Sequence, residues 1–387
     1  MNDFNFSTAI KFYFGKDAMN ELAGLVKPHT DKVMLVYGGA SAKGNGAYTA
    51  VTTKLTEAGI SYVDFGGNRI PSYQQALKAI DICVKENVGC IIGIGGSACM
   101  DMAKVIAFGA KHADEDLWHC FYDVIEYDED EPHLLVGAIP TYPSGGSEAD
   151  TAAEIDNEET GQHGSLSGIG PDFSILNPEF SYTLDKEATA YAALTTFVQV
   201  SITRLGGNSL ISEKLSESVL EVILSSLKTA LDNPEDYNAR AGQMWASALC
   251  TMGILSCGKE LWGYSIYSEI EVIRQAMQIS YRQALTVLFP RWLKAHSVSH
   301  GEDIRRYLVS VFGVDGDLSV EEAVSEGVQR IIELFESFGL PMTYNAFGEV
   351  PSPEQLEEGY AKAEEEFSLS KEEIMKMYME CFDKELN

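Results

Sequence analysis

Basic residues are scarce: 28 Lys and Arg stand against 58 Asp and Glu in 387 residues, a formal net charge of −30 with histidine neutral. Phosphate backbones are held by clustered Lys and Arg, so this balance excludes a nucleic-acid module. Long apolar runs are missing as well. The longest, such as 33–36 and 90–94, fall far short of the roughly 18 residues of a membrane span, so no membrane partner is expected. Residues 1–15 carry Asp3 where a basic start would stand and have no apolar stretch, which reads as no secretory signal and a cytoplasmic location. The seven cysteines, Cys83, Cys90, Cys99, Cys120, Cys250, Cys257 and Cys381, form no C-x-x-C pair and are expected to be reduced thiols. Histidine is thin in the second half: beyond Leu184 only His296 and His300 occur.

Hydrophobic residues are present in ordinary supply, 45%, and at roughly 100 to 200 residues per domain the length predicts two domains. The first alternates strands and helices. Residues 32–37 are an apolar run ending at Gly38-Gly39, 46–58 a helix stopped by Gly59, and 61–65 a second strand. Residues 73–87 place Ala76, Ile80, Cys83 and Val84 at helical spacing, 90–94 is a third strand entering Gly95-Gly96-Ser97, and 98–110 a third helix. This order predicts a doubly wound, Rossmann-like parallel sheet over 1–184 that binds a dinucleotide at the carboxyl ends of its strands. From 185 to 387 the periodicity predicts an all-helical domain. Its helices fall over 189–206, 209–231, 238–258, 272–288 and 320–339, with connections at 232–234, Phe289-Pro290 and 313–316, and a charged surface helix over 353–387. The acidic run 126–131 reads as a solvated loop, because adjacent carboxylates without glycine-directed turns seldom chelate.

Gly95-Gly96-Ser97, between a strand and a helix, suits a phosphate: glycines admit close backbone approach, the serine hydroxyl can donate, and the helix amides favour an anion. Several motifs join it in order: Phe14-Gly15, Tyr37-Gly38-Gly39-Ala40-Ser41, Asp101 and Lys104, Thr141-Tyr142-Pro143-Ser144-Gly145-Gly146-Ser147-Glu148, Asn177-Pro178 with Thr183-Leu184, and Phe289-Pro290 with Trp292. Together they resemble the iron-containing alcohol dehydrogenase family, and within it the butanol dehydrogenase branch. The resemblance implies the fold shared with dehydroquinate synthase, a homodimer, an alcohol or aldehyde substrate, and NAD or NADP in a cleft between the domains. By motif match, Gly95, Gly96 and Ser97 would hold the pyrophosphate and Gly38, Gly39 and Ser41 the adenosine ribose. Thr141, Ser144 and Ser147 would hold the rest of the nucleotide, with Asp101 at the nicotinamide end. The loop after the first strand has no acidic residue to repel a 2′-phosphate and contains Lys43, which favours NADP over NAD.

The same resemblance implies a divalent metal as Lewis acid, held by an Asp and a His four residues apart and two His fourteen residues apart, with an extra His between the last two. At these positions the chain carries Thr195, Gln199, Tyr267 and Tyr281, and Glu271 in place of the extra histidine. None is an imidazole, and the ligands themselves offer only neutral oxygens or an amide, so iron and zinc are expected to be absent. Ile70 and Gln162 depart from the family's cofactor-side pattern too. His296, His300 and Asp303 share a helical spacing that could form a displaced metal site, but the segment reads as a solvated loop near a helix end. Cys250 and Cys257 lie about 10 Å apart along a helix, too far for one ion.

Two functions follow. An NADP(H)-linked alcohol dehydrogenase or aldehyde reductase could work without metal, with Tyr267 or Tyr281 as proton donor and Lys259 or Arg282 as the cation that eases ionisation of the phenol. Otherwise both tyrosines only fill the space left by metal and imidazoles, and the chain is a nucleotide-binding protein without turnover.

Overall fold

The computed structural model describes residues 1–68, 70–122, 125, 127–128, 131–262, 266–362 and 367–383. The chain divides into two compact units, one of Phe6–Asp185 with Asp232–Met252, the other of Met1–Asn5, Lys186–Leu231 and Gly253–Asn387.

The first unit is built on eight strands among the described residues: β1 (Lys11–Phe14), β2 (Lys32–Tyr37), β3 (Ser61–Gly66), β4 (Cys90–Gly95), β5 (Leu135–Pro140), β6 (Ala152–Asn157), β7 (Gln162–Ser167) and β8 (Phe173–Leu176). Six form a wholly parallel sheet in the order β1-β8-β5-β4-β2-β3, and β6 and β7 pair separately as an antiparallel hairpin. From β2 the chain moves outward to β3 and then crosses back to β4 on the other side. That reversal places Gly38-Gly39 and Gly95-Gly96 side by side, because Tyr37 of β2 is paired with Ile94 of β4.

β2 and β4 are apolar without alternation because helices cover both sheet faces: Val33, Met34, Leu35, Val36, Ile91 and Ile92 are fully buried, each contributing about 1.5 to 3 kcal/mol. Helix Tyr73–Glu86 starts at Ser72, whose hydroxyl accepts from the Gln75 amide (3.3 Å), and stops at Asn87 in the left-handed conformation. Helix Ser97–Gly109 is buried along nearly its whole length, as its small and apolar residues require.

Helix Tyr237–Thr251 belongs to this sheet unit, although the sequence reading assigns 185–387 to one helical domain. Its Met244 and Ala248 pack with Ala149 and Leu176, and Trp245 meets the rings of Phe12 and Phe14 edge to face at 5.8 and 5.9 Å. Periodicity identifies a helix without revealing which core its apolar face enters.

The second unit is helical: Lys186–Arg204, Leu210–Asp232, Tyr267–Met277, Tyr281–Phe312, Val320–Ser337, Pro353–Lys362 and Lys371–Glu380. The predicted helix over 272–288 is replaced by two helices that meet near Ser280. Phe289-Pro290 is no connection either, since Pro290 lies inside Tyr281–Phe312 between the fully buried Phe289 and Trp292. Proline removes one helical hydrogen bond, and burial of its neighbours offsets that loss. The backbone leaves helical geometry instead at His300 (φ −125°, ψ 23°). Among the described residues of 353–387 there are two helices, with Ile374, Met377 and Tyr378 of the second buried. All seven cysteines are free, and no helix of the described residues is long and apolar enough to cross a membrane. Of the acidic run, Glu126, Glu129 and Asp130 lie outside the described residues, and Glu131 stands 3.5 Å from His112.

Candidate active site

In the sheet unit the site begins where the strand order reverses, the usual place for a ligand in an open α/β sheet. Gly95 has φ +153°, and a Cβ there would stand 2.7 Å from Cys99 Sγ. Gly39 and Gly96 differ. Their backbones are extended (φ 172° and −90°); a Cβ on Gly39 would enter open space, and one on Gly96 would meet only Tyr142 at 3.6 Å. Neither is glycine for the sake of the fold, and both leave clearance for a group approaching the first turn of Ser97–Gly109, whose amides and dipole favour an anion.

Two residues the sequence reading passed over lock these turns together. The Asn68 side-chain amide donates to the carbonyls of Phe65 (2.6 Å) and Tyr37 (3.4 Å). The Cys99 thiol donates to the Asn68 carbonyl (3.5 Å), and burial pushes its pKa up to about 12, so it stays a donor. Asn68 directly after Gly66-Gly67 is a recognisable turn signal; Cys99 offers none.

Beyond β5 the loop containing Thr141, Ser144 and Ser147 returns to the same turn, with the Thr141 amide on the Gly95 carbonyl (2.8 Å). Two serine hydroxyls here, those of Ser97 and Ser147, are already committed. Ser97 Oγ donates to the Ser144 carbonyl (3.0 Å) and Ser147 Oγ to Asp101 Oδ1 (2.5 Å). The Ser97 hydroxyl, which the resemblance assigns to the pyrophosphate, thus clasps the neighbouring loop in this structure. Lys104 is fully buried and uses its three N–H groups on Ser147 Oγ (3.0 Å), Asp150 Oδ1 (2.5 Å) and the Ala152 carbonyl (2.6 Å). Ser41 is exposed at the other turn, where Lys43 Nζ lies over the rings of Tyr37 (5.2 Å) and Tyr48 (4.7 Å).

Three carboxyl groups share this buried region with the one ammonium of Lys104. Burial pushes Asp101 up to about 7, against the pull of Lys104 and with Asp150 adding to the rise. Burial also pushes Glu148 up to about 7, and neither of its carboxyl oxygens meets a partner at hydrogen-bond geometry among the described residues. An unfolded Glu titrates near 4.3, so the folded state holds the extra proton between about pH 4.3 and 7, and stability falls as pH rises through that window. Glu148→Gln fixes the neutral form. Thermal melts should show the variant gaining on wild type from pH 5 to pH 8; a pH-independent difference would mean that Glu148 is ionised in the folded protein.

In the helical unit, helix Lys186–Arg204 carries Thr195, buried, and Gln199 one turn later, half-buried. Tyr267 and Tyr281 each open a helix, the second behind the Ser280–Gln283 capping box. Their rings stack at 6.3 Å and 21°; the Tyr281 hydroxyl is buried, whereas Tyr267 is 47% exposed. Glu271 is held by Arg274 (2.7 and 2.8 Å) and Gln275 (2.7 Å). Arg282 stacks on the Tyr191 ring (5.2 Å). Lys259 directs its ammonium to the Arg204 carbonyl (2.5 Å) at the end of helix Lys186–Arg204.

Thr195, Gln199, Tyr267 and Tyr281 do not fit Fe²⁺ or Zn²⁺, which need imidazole, thiolate or carboxylate donors. Among the described residues no three His, Cys, Asp or Glu side chains are placed to hold a metal ion. The His296, His300 and Asp303 segment is helix, contrary to the loop reading. His296 is fully buried, its pKa lowered to about 4 by burial and by His300. His300 stacks on Trp262 (4.2 Å), and Asp303 accepts from the Gly206 amide (2.6 Å), Trp262 Nε1 (3.0 Å) and Arg306 (2.9 Å). Ile70 is exposed, and Gln162 at the start of β7 accepts from Trp118 Nε1 (3.1 Å).

A dinucleotide-type parallel sheet with glycine turns at its switch point, joined in one chain to a helical unit, defines a class of dinucleotide-binding proteins. The chain belongs to the iron-containing alcohol dehydrogenase family: the model of that family matches residues 9–178 and that of its C-terminal region residues 206–369. It is 29% identical over 359 residues to NADH-dependent butanol dehydrogenase A of Clostridium acetobutylicum, covering 90% of each chain. It is 25% identical over 356 residues to the NADPH-dependent aldehyde reductase YqhD of Escherichia coli, again covering 90% of each. The crystal structure of NADH-dependent butanol dehydrogenase A from Thermotoga maritima shares the fold, with TM-score 0.91, 24% identity and 99% of both chains covered.

Proposed function

We propose that the protein is an NADP(H)-dependent reductase of small aldehydes, working in reverse as an alcohol dehydrogenase, in which a tyrosine hydroxyl supplies the proton. The observation that carries this reading is the contrast between the two units: the phosphate turns retain their glycines and clearances, while phenols stand where the family's resemblance places imidazoles. Relatives named for butanol and for aldehydes support the substrate class. When bound, the nicotinamide supplies the hydride. The turn amides of Gly96 and Ser97 hold the cofactor's phosphates, and Tyr281, with its hydroxyl buried, gives its proton to the developing alkoxide.

The cofactor preference rests on Lys43. Its ammonium is held over Tyr37 and Tyr48, beside the turn assigned to the adenosine ribose, while the Asp64 carboxylate of β3 accepts from the Tyr48 hydroxyl (2.9 and 3.0 Å). A 2′-phosphate there meets a cation. Titration calorimetry should find NADPH bound about tenfold or more tighter than NADH, and Lys43→Ala should abolish most of that ratio while leaving NADH affinity nearly unchanged. Equal or tighter NADH binding by wild type would overturn the preference alone; no binding of either nucleotide at millimolar concentration would overturn the function.

A further inference from the structure

We propose that Thr251, the last residue of helix Tyr237–Thr251, is a positioning residue for the cofactor loop: it sets the direction of the Ser147 amide toward the anionic part of the nucleotide. This rests on the function proposed above. Thr251 Oγ1 donates to the Gly146 carbonyl (2.7 Å), and on the other side of the same loop Ser97 Oγ donates to the Ser144 carbonyl (3.0 Å). A trans peptide points its C=O and N–H in opposite directions. Drawing the Ser144 carbonyl toward Ser97 therefore turns the Gly145 amide away from Ser97, and drawing the Gly146 carbonyl toward Thr251 turns the Ser147 amide away from Thr251, to the opposite side of the loop. Neither amide donates to another backbone or side-chain group among the described residues. The half-buried Thr251 hydroxyl thus aims the Ser147 N–H toward the side of the loop on which Ser97 opens its helix, a direction suited to a phosphate oxygen at that turn.

The loop's shape allows only this seating. Gly145 and Gly146 are both left-handed (φ +83° and +68°), and a Cβ on Gly146 would lie 2.2 Å from Thr251 Oγ1 and 2.6 Å from the Ser247 carbonyl. The loop rests directly on the last turn of the helix. The Gly146 carbonyl also accepts from the Ala149 amide (2.8 Å), so that amide reports whether the clasp is closed.

Thr251→Val keeps the branched shape and removes the hydroxyl; Thr251→Ser keeps the hydroxyl and removes the methyl. Hydrogen exchange on the nucleotide-free protein and calorimetry with NADPH are run on wild type and both variants. Thr251→Val should exchange the Ala149 amide about tenfold faster and bind NADPH about tenfold more weakly, and Thr251→Ser should return both to within about twofold of wild type. Wild-type exchange at Ala149 in Thr251→Val would overturn the clasp whether or not a nucleotide binds. Faster exchange with unchanged NADPH affinity would overturn the positioning role, as would a loss of affinity that Thr251→Ser fails to restore. Failure of wild type to bind NADPH at all would instead sink the proposed function, and the cofactor role of Thr251 with it.

Discussion

Tyr281→Phe should lower NADPH-dependent reduction of butyraldehyde by about 10² to 10⁴-fold, the usual loss when a general acid is removed. EDTA should leave the wild-type rate unchanged. Hydride arriving at a carbonyl carbon leaves negative charge on oxygen, and that charge needs either a Lewis acid or a proton. On the proposed function Thr195, Gln199, Tyr267 and Tyr281 would make a poor metal site, and the proton would fall to a phenol. Of the two, Tyr281 has its hydroxyl withdrawn from water, while Tyr267 is 47% exposed and stacked on it. Phe keeps the ring and its stacking, so the loss isolates the hydroxyl. Tyr267→Phe, by comparison, should cost less than tenfold. Activity abolished by EDTA and restored by Fe²⁺ or Zn²⁺ would contradict the reading, and absence of turnover with every aldehyde and alcohol tried, alongside normal NADPH binding, would leave a nucleotide binder without catalysis.

Gly95→Ala should weaken NADPH binding by about 100-fold. At φ +153° an alanine is strained by about 1 to 3 kcal/mol, and its methyl would stand 2.7 Å from Cys99 Sγ. Relief requires Cys99 to move, and Cys99 holds the Asn68 carbonyl, so the disturbance spreads from the second glycine turn to the first. Adding Cys99→Ala removes the clash but not the strain, and the double variant should recover only part of the affinity. Wild-type affinity in Gly95→Ala would show that the nucleotide phosphates lie elsewhere.

Much of this was legible in the residues, and unevenly. β2, β3 and β4 declare themselves through apolar runs closed by glycine, because strands covered on both faces exclude polar residues. β1, four residues with only its middle pair half-buried, and the hairpin of β6 and β7 give no such run. The glycine turns were legible because close backbone approach admits only glycine. The partners of the serines were not. Whether Ser97 donates to a phosphate or to the Ser144 carbonyl depends on where a loop some fifty residues away returns, which spacing does not encode. Likewise His296 looks like a loop residue next to Pro290 until the burial of Phe289 and Trp292 shows the helix running on. Thr251 is hidden by a helical pattern that continues to Gly258, whereas the helix stops at Thr251 itself.

The return of helix Tyr237–Thr251 to the sheet unit bears on how the protein is made. β1 takes its place only against β8, Lys11 opposite Phe173, and the rings of Phe12 and Phe14 find Trp245 later still. During synthesis the first strand therefore waits, its aromatic side chains without their final neighbours, until residue 252 has left the ribosome, with the greater part of a helical segment emerging in between. Contacts this distant in sequence close slowly. The sheet unit is thus not a module that a single cut after residue 184 can release: such a fragment would carry the glycine turns without Thr251 beneath them and with β1 stripped of its cover, a species prone to self-association rather than a miniature nucleotide binder.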